Sequence, residues 1–408
     1  MKNQRIAIIG AGTAGLAAAT LLSRQGHDVT VIERAPSLTA VGAGILLQPS
    51  GLAALSELGC LAHLQQYGHR IDALYGWARS GGTRSGRVIM QVKYAHLQDE
   101  RDVFGLGVHR AALCHVLDAA LSGVSHKRWF GCEVSAIEQN AREAVVSFQR
   151  EAQTHREAFD AVLVANGSAS KLRPPALVRY DRQYPWGAMW LIRPLTESLA
   201  SLNRPLLQQR YDGSAVMLGA LPTGCIPADT GTPMLSLFWS LPVADMPRWQ
   251  AGDVDLGAWK DQVVTLWPEL SPLVDTIQRP AELLPATYRD VILSRWGSGR
   301  IGVIGDAAHA MSPQLGQGAN MALLDASAIA RAVAASDDWE SAWAHFSAER
   351  AGSIRFYQAM SRLLTPLFQS RIPGAALVRD LALPVSHLFP WLRRQMAETV
   401  AGRKQKWI

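Results

Sequence analysis

Near its start the chain reads Ile6-Ala7-Ile8-Ile9, then Gly10-Ala11-Gly12-Thr13-Ala14-Gly15, an apolar stretch at 16–22, Gly26, and Val29-Thr30-Val31-Ile32 closed by Glu33. No other stretch restricts the possible folds as strongly. The apolar runs at 6–9 and 29–32 read as buried strands, and 16–22 as a helix that Gly26 stops. Strand, GxGxxG turn, helix, strand and an acid 18 residues after the last glycine form a dinucleotide-binding unit. Gly10 makes the tight turn, Gly12 lets backbone approach a pyrophosphate, and Gly15 packs helix on strand. Thr13 and Ala14 open a helix whose free N–H groups and partial positive charge suit phosphate, and Glu33 can accept from a ribose hydroxyl. Met1-Lys2-Asn3-Gln4-Arg5 ahead of an apolar run imitates a signal peptide, but the nucleotide unit accounts for more of the residues.

A chain of 408 residues has room for two or three domains at roughly 150 residues each. With 48% hydrophobic and 18% charged residues it is neither disordered nor fibrous. No apolar run reaches the ~18 residues of a membrane span, so a soluble protein is expected. The net charge of +6 is not gathered into a tract, which argues against nucleic acid as a partner. Cys60, Cys114, Cys132 and Cys225 lie far apart without a CxxC pair, which fits a reducing cytoplasm. HExxH and GxSxG are absent, so neither a metal site nor a serine hydrolase is expected.

A second signature spans 299–326, GRIGVIGDAAHAMSPQLGQGANMALLDA. It reads as a strand at 301–304, a tight Gly305-Asp306 exit, a Pro-bearing loop, and Gly316-Gln317-Gly318 opening a helix from Ala319. An acid at a strand end can accept from a polyol, and a helix start can face a group that becomes anionic. With this motif the chain resembles the group A FAD-dependent monooxygenases, the aromatic hydroxylase family named for para-hydroxybenzoate hydroxylase, which includes ubiquinone-pathway hydroxylases. Gly42-Ala43-Gly44-Ile45-Leu46-Leu47-Gln48-Pro49 resembles the family's flavin-side loop, and Val108-His109-Arg110-Ala111-Ala112-Leu113 the segment whose arginine contacts the cofactor.

The resemblance implies FAD as cofactor and NADPH or NADH as transient electron donor. It places Glu33 at the adenosine ribose, with Arg34 also on the cofactor, Arg110 near the pyrophosphate and Asp306 at the ribityl chain. Gly316, Gly318, Ala319 and Asn320 would border the flavin ring, with Pro313 beside its reacting edge. Pro313 and Gly318 would serve catalysis by positioning, with no acid or base assigned. The implied reaction is hydroxylation of an aromatic or quinone-like small molecule by dioxygen through a flavin C4a-hydroperoxide. Dehydrogenation or oxidation on the same scaffold stays open, as does a silent flavin binder. Halogenation is disfavoured, because Trp186 and Trp190 lack the spacing of WxWxIP.

The family's third motif ends a strand with Asp-Gly, and here 160–165 is followed by Asn166-Gly167, with Ser170, Lys171 and Arg173 downstream. Asn166 either makes the same turn or alters nicotinamide handling, since an amide cannot supply the negative charge.

The expected fold is α/β: a discontinuous Rossmann-type, glutathione reductase-like FAD-binding domain (1–75, 100–180 and 285–345), a mixed β-sheet substrate domain (76–99 and 181–284), and C-terminal helices (346–408). A helix at 110–121 leads into a meander at 132–139, 144–150 and 154–158. Substrate-domain strands are expected at 186–193, 208–211, 214–221 and 234–241, and a helix at 255–266. Trp190, Met217, Phe238 and Pro313 are the substrate candidates, with Trp186, Leu218 and Trp239 as further possible lining. His109 and His309 lie in motif segments with structural work to do, and Tyr288 or Arg289 could serve substrate deprotonation. The C-terminal region mixes apolar and basic residues, from Leu363 to Arg403-Lys404-Gln405-Lys406. It could pack on the cofactor domain, contact the inner membrane peripherally, or cover the site of a lipophilic substrate.

Overall fold

The computed structural model describes residues 1–38, 44–79, 86–97 and 102–406. Strand Arg5–Ile9 lies at the centre of a six-stranded sheet, parallel to Asp28–Ile32 on one side and Ala161–Val164 on the other. Lys127–Trp129 and Ile301–Val303 extend the parallel pairing, and the short antiparallel Gly297–Ser298 ends it. Residues 6–9 and 161–164 are buried throughout, because helix Thr13–Arg24 packs on this sheet and the meander residues Val146, Phe148 and Phe159 join the same core. That is why these strands read as continuous apolar runs instead of alternating ones. Helix Thr13–Arg24 packs against Gly318–Ala334 and Arg110–Ser122. The meander forms a separate antiparallel sheet of Glu133–Gln139, Ala144–Arg150 and Gln153–Phe159.

A seven-stranded sheet makes the second body of the fold. Its longest strand, Val178–Pro194, pairs with Leu284–Leu293 on one edge and Met234–Pro242 on the other. The order continues through Val216–Pro222, Leu206–Asp212, Ala73–Arg79 and Gly86–Lys93. Only Leu206–Asp212 and Ala73–Arg79 pair in parallel, so the sheet is mixed as expected. One face is sealed by Leu256–Leu266 and its neighbours, with Trp249, Trp259 and Trp267 buried against Leu218 and Trp239. The other face carries Ala188, Tyr211, Met217 and Phe238.

A small sheet of Gly44–Leu47, Gly105–His109 and His69–Ile71 joins the two bodies. Gly44 N donates to Ser236 Oγ at 3.1 Å, and His109 N to the Thr223 carbonyl at 3.1 Å. A Cβ on Gly107 would stand 2.1 Å from the Pro222 carbonyl oxygen, so this approach needs glycine.

Four expected boundaries fall inside continuous elements, those at 75 and 180 cutting strands Ala73–Arg79 and Val178–Pro194. Residues 285–293 belong to strand Leu284–Leu293, which pairs in the substrate sheet while Val291 and Leu293 join the core of the cofactor body. A single strand can serve two cores because its pairing and its side-chain burial are separate demands. The boundary at 345 cuts through one 30-residue helix, Trp339–Phe368, capped by Asp338 accepting from Ser341 N at 2.7 Å. Motif edges mark chemistry, whereas a helix ends only where a cap or breaker stands.

The fingerprint turn is fixed by a close approach of helix to turn. A Cβ on Gly15 would lie 1.9 Å from the Gly10 carbonyl oxygen, and Gly10 itself has φ +106°. Nothing stands within 4 Å of a Cβ on Gly12. In the apoprotein Gly15→Ala should cost about 2 kcal/mol or more, while Gly12→Ala should leave the melting temperature unchanged. Thermal denaturation of the two variants checks this, and equal losses would contradict it.

Candidate active site

At the carboxyl ends of the parallel strands a cleft of ≈ 220 Å³ opens between the fingerprint turn and helix Arg110–Ser122. Gly12, Thr13, Glu33, Ser37 and Arg110 line it. Glu33 is held rigidly, one carboxylate oxygen accepting from Ala11 N at 2.8 Å and the other from Ala35 N at 2.9 Å. A carboxylate has about four acceptor positions, so Glu33 retains capacity for a ribose. Arg110 is exposed at the first turn of its helix. His109 caps that helix, its Nδ1 accepting from Ala111 N at 3.0 Å. Burial lowers the His109 pKa, which favours the neutral ring that this acceptor role requires. Arg34 is exposed and is not part of the cleft wall.

The Gly305-Asp306 corner lies directly on the fingerprint helix. Gly305 has φ +61°, and a Cβ there would meet Ala14 Cβ at 2.8 Å. Its N–H donates to Asp325 at 2.8 Å. Asp325 is fully buried and also meets His309 Nε2 at 2.6 Å and Arg350 Nε at 2.8 Å. Burial raises the pKa of this carboxyl, but the charges and hydrogen bonds of His309 and Arg350 outweigh it and hold the value down at about 2. His309 is thereby spent on a buried structural hydrogen bond. Asp306, by contrast, is exposed, with Oδ1 3.6 Å from the position of a Cβ on Gly318.

The glycine-rich helix start is locked from behind. Gly316 is left-handed at φ +61°. Asn320 is completely buried; its amide donates to the Gly316 carbonyl at 2.9 Å and its Oδ1 accepts from Gln48 N at 2.8 Å. Asn320 was expected to border the flavin ring, but its side chain instead holds the turn that would do so. Gln48 is also buried, and Tyr94 donates to its Oε1. Its Nε2 has no partner among the described residues and lies 3.6 Å from a Cβ position on Gly316. Gly42 and Ala43 of the expected flavin-side loop lie outside the described residues.

Pro313 opens the turn Pro313–Leu315, which is tied to the long C-terminal helix by a Ser312–Thr365 hydroxyl pair. Gln314 donates to Gln369 at 2.9 Å, and Gln369 donates to the Gly187 carbonyl of the large sheet at 3.2 Å. Trp190, Met217 and Phe238 share one apolar cluster on the sheet face opposite Leu218 and Trp239, which belong to the helix-covered core and drop out as lining candidates. Trp186 lines a different cavity of ≈ 650 Å³ together with Tyr180, Tyr184 and Arg362. Trp190 and Phe238 rings lie 5.0 Å apart, and Trp190 Nε1 donates to Tyr288 Oη at 3.2 Å. Burial pushes the Tyr288 phenol up to about 12, so at neutral pH it is a proton donor and no base. Arg289 is engaged by Asp181 at 2.6 Å, as is Arg173 at 2.9 Å.

Asn166 is exposed, with its Cα 2.8 Å from a Cβ position on Gly10. Arg173 donates to the carbonyls of Ser168, Ser170 and Ala307, binding this loop to the Asp306 corner. Gln48 belongs to the expected flavin-side loop, whereas Asp325 and Gln369 were not expected at the site. Asp325 stands seven residues after Gly318, two turns along the same helix, which was the available signal. Gln369 had none.

The open backbone at Gly12, the fixed Glu33 and the orphaned Gln48 donor at the Gly316 turn fit a dinucleotide lying from cleft to turn. Fold and site therefore define a flavoprotein oxidoreductase. The chain belongs to the FAD binding domain family, whose model matches residues 3–351. It is 30% identical over 412 residues to kynurenine 3-monooxygenase of Stenotrophomonas maltophilia (strain K279a), covering 95% of this chain and 85% of that protein. It is 28% identical over 344 residues to a probable 2-heptyl-3-hydroxy-4(1H)-quinolone synthase of Rhodococcus erythropolis, covering 82% and 80%. Klebsiella pneumoniae HpxO, solved with FAD and uric acid, shares the fold at a TM-score of 0.79 and 20% identity, over 98% of this chain and 97% of that one. The protein is accordingly an FAD-dependent monooxygenase of the aromatic hydroxylase kind.

Among the described residues no helix is long and apolar enough to cross a membrane, and no three or more His, Cys, Asp or Glu side chains are grouped so as to hold a metal ion. Asp325 should anchor the site. Its depressed pKa stabilises the fold above the unfolded carboxyl value near 3.8, and that stability is lost as pH falls toward about 2. Asp325→Ala should cost about 3–5 kcal/mol and remove the acid-limb loss between those pH values. Denaturant melts from pH 6 to pH 2 check this; an unchanged acid limb would contradict it.

Proposed function

We propose that the protein uses NADPH or NADH and dioxygen to hydroxylate a lipophilic aromatic small molecule held against the Trp190, Met217 and Phe238 face. The observation that carries the reading is the make-up of that face: aromatic and aliphatic groups, with the Tyr288 hydroxyl as a neutral donor. Arg379, a cation that reaches the cluster, already donates to the Gly213 and Leu367 carbonyls and pairs with Asp380, so it offers no ready partner for a substrate carboxylate. The R. erythropolis relative's name, with its heptyl-bearing quinolone, supports a substrate of this character.

Bound FAD supplies electron transfer from the nicotinamide and activation of dioxygen. The chain supplies position and shelter. Gly12 and the N-terminus of Thr13–Arg24 receive the pyrophosphate, Glu33 the ribose and Asp306 the ribityl chain. The N-terminus of Gly318–Ala334 favours negative charge on the ring side facing it, a contribution of the kind that costs about 3 kcal/mol when removed. Pro313, tied through Gln314 and Gln369 to the sheet, would help hold a bound flavin against the substrate face. Tyr288 Oη accepts from Trp190, which leaves its own proton for a substrate oxygen.

The test is anaerobic reduction of the FAD-loaded protein by NADPH across an alkylquinolone, a simple phenol and a hydroxybenzoate. The apolar compounds should accelerate bleaching of the flavin; acceleration by the carboxylated ring alone would overturn the assignment. Tyr288→Phe should lower kcat/KM on the preferred compound about tenfold while FAD content holds. In the same assay Asn166→Asp should retain FAD and change the reduction rate by no more than about twofold, since it is the backbone at 166, which the substitution leaves in place, that lies against Gly10. A larger change would assign the amide a part in nicotinamide handling.

A further inference from the structure

The helix Ala375–Val385 is inside out. Its charged residue Arg379 is 1% exposed, donating to the Gly213 and Leu367 carbonyls and lying 4.7 Å over the Tyr211 ring. Leu377, Val378, Leu381 and Val385 of the same helix face solvent, at 43–62% exposure. At 100° per residue these four fall within an arc of about 100°, opposite Ala375 and Arg379. The stripe continues through Ile372, Leu388, Phe389 and Trp391, each more than half exposed. Among the described residues, most of the large exposed hydrophobic side chains are therefore gathered between residues 363 and 391, where isolated ones would need no explanation. Because Arg379 is bonded inside, the helix cannot roll to bury its apolar arc without abandoning a buried cation.

Charge identifies what covers the face. Residues 371–408 hold seven Lys or Arg against two Asp or Glu, a net +5 of the chain's +6. A second copy docked by the same patch would set these like charges against each other. An anionic lipid surface offers the complement to both properties, with Trp391 and Phe389 at the headgroup level and basic side chains beside them.

We propose that Ala375–Val385 and the segment through Trp391 dock on an anionic bilayer surface. Leu383 of the docked helix packs into the cluster of Trp190, Met217 and Phe238, so one helix separates the lipid from the substrate face. Docking would thus let a lipophilic substrate reach the site from the bilayer, a consequence that rests on the substrate assigned above; the docking itself does not.

Cosedimentation of the FAD-loaded protein with phosphatidylcholine vesicles, and with vesicles containing phosphatidylglycerol, at low and high salt, tests this. Binding should require the anionic lipid and weaken with salt. Leu377→Ser with Leu381→Ser, and separately Trp391→Ser, should weaken partitioning on the order of tenfold or more, with FAD content and NADPH oxidation on a water-soluble phenol unchanged. Absence of binding by the wild-type holoprotein, or full binding by the variants, would overturn the proposal. So would a dimer in sedimentation equilibrium that Leu381→Ser dissociates, which would assign the face to a second copy. Product formation without vesicles reads the substrate assignment separately.

Discussion

A single buried carboxylate organises the centre of this protein. Burying the charge of Asp325 is tolerable only because it is fully partnered, and its partners come from different parts of the chain: the Gly305 N–H at the end of a strand, His309 in the next turn, and Arg350 on the long C-terminal helix. The bond to Gly305 seats the corner on Ala14 of the fingerprint helix, and Asp306 follows beside Gly318. The fingerprint turn and the Gly305-Asp306 corner, about 300 residues apart in sequence, are thus brought together through one carboxyl group.

The rest of the site is built by removing atoms. Gly10, Gly15, Gly305 and Gly316 stand where side chains would collide or the backbone turns left-handed, and Gly12 leaves a surface clear. Fixed side chains then stand behind these openings: Glu33 held by two backbone N–H groups, and Asn320 clamping the Gly316 turn to Gln48. The chemistry belongs to the cofactor, so such a site needs few reactive side chains, and the two motif histidines, His109 and His309, are committed to a helix cap and a buried hydrogen bond.

Legibility in the sequence followed the range of the forces involved. The nucleotide unit could be read because its strands, turn and helix are local and their periodicities differ. The sheet strands at 206–222 and 234–242 were readable from alternation, and their edges fell within two residues of the expected ones. Which face of a strand meets the substrate was not readable: Leu218 and Trp239 are as apolar as Met217 and Phe238, and only the helices packed behind them decide. Gln369 could not be found, because its role depends on two hydrogen bonds to residues distant in sequence. The inverted polarity of Ala375–Val385 was hidden for the same reason, since Arg379 is buried by carbonyls and rings from the large sheet and the preceding helix.

The central claim is that this scaffold directs FAD to place one atom of dioxygen on an aromatic ring. Turnover of the preferred aromatic compound under ¹⁸O₂ with NADPH, read by product mass, tests it most directly. The account predicts one ¹⁸O atom in each product molecule and the other in water. A product that has lost two hydrogens and carries no label would contradict it and make the protein a dehydrogenase on the same fold.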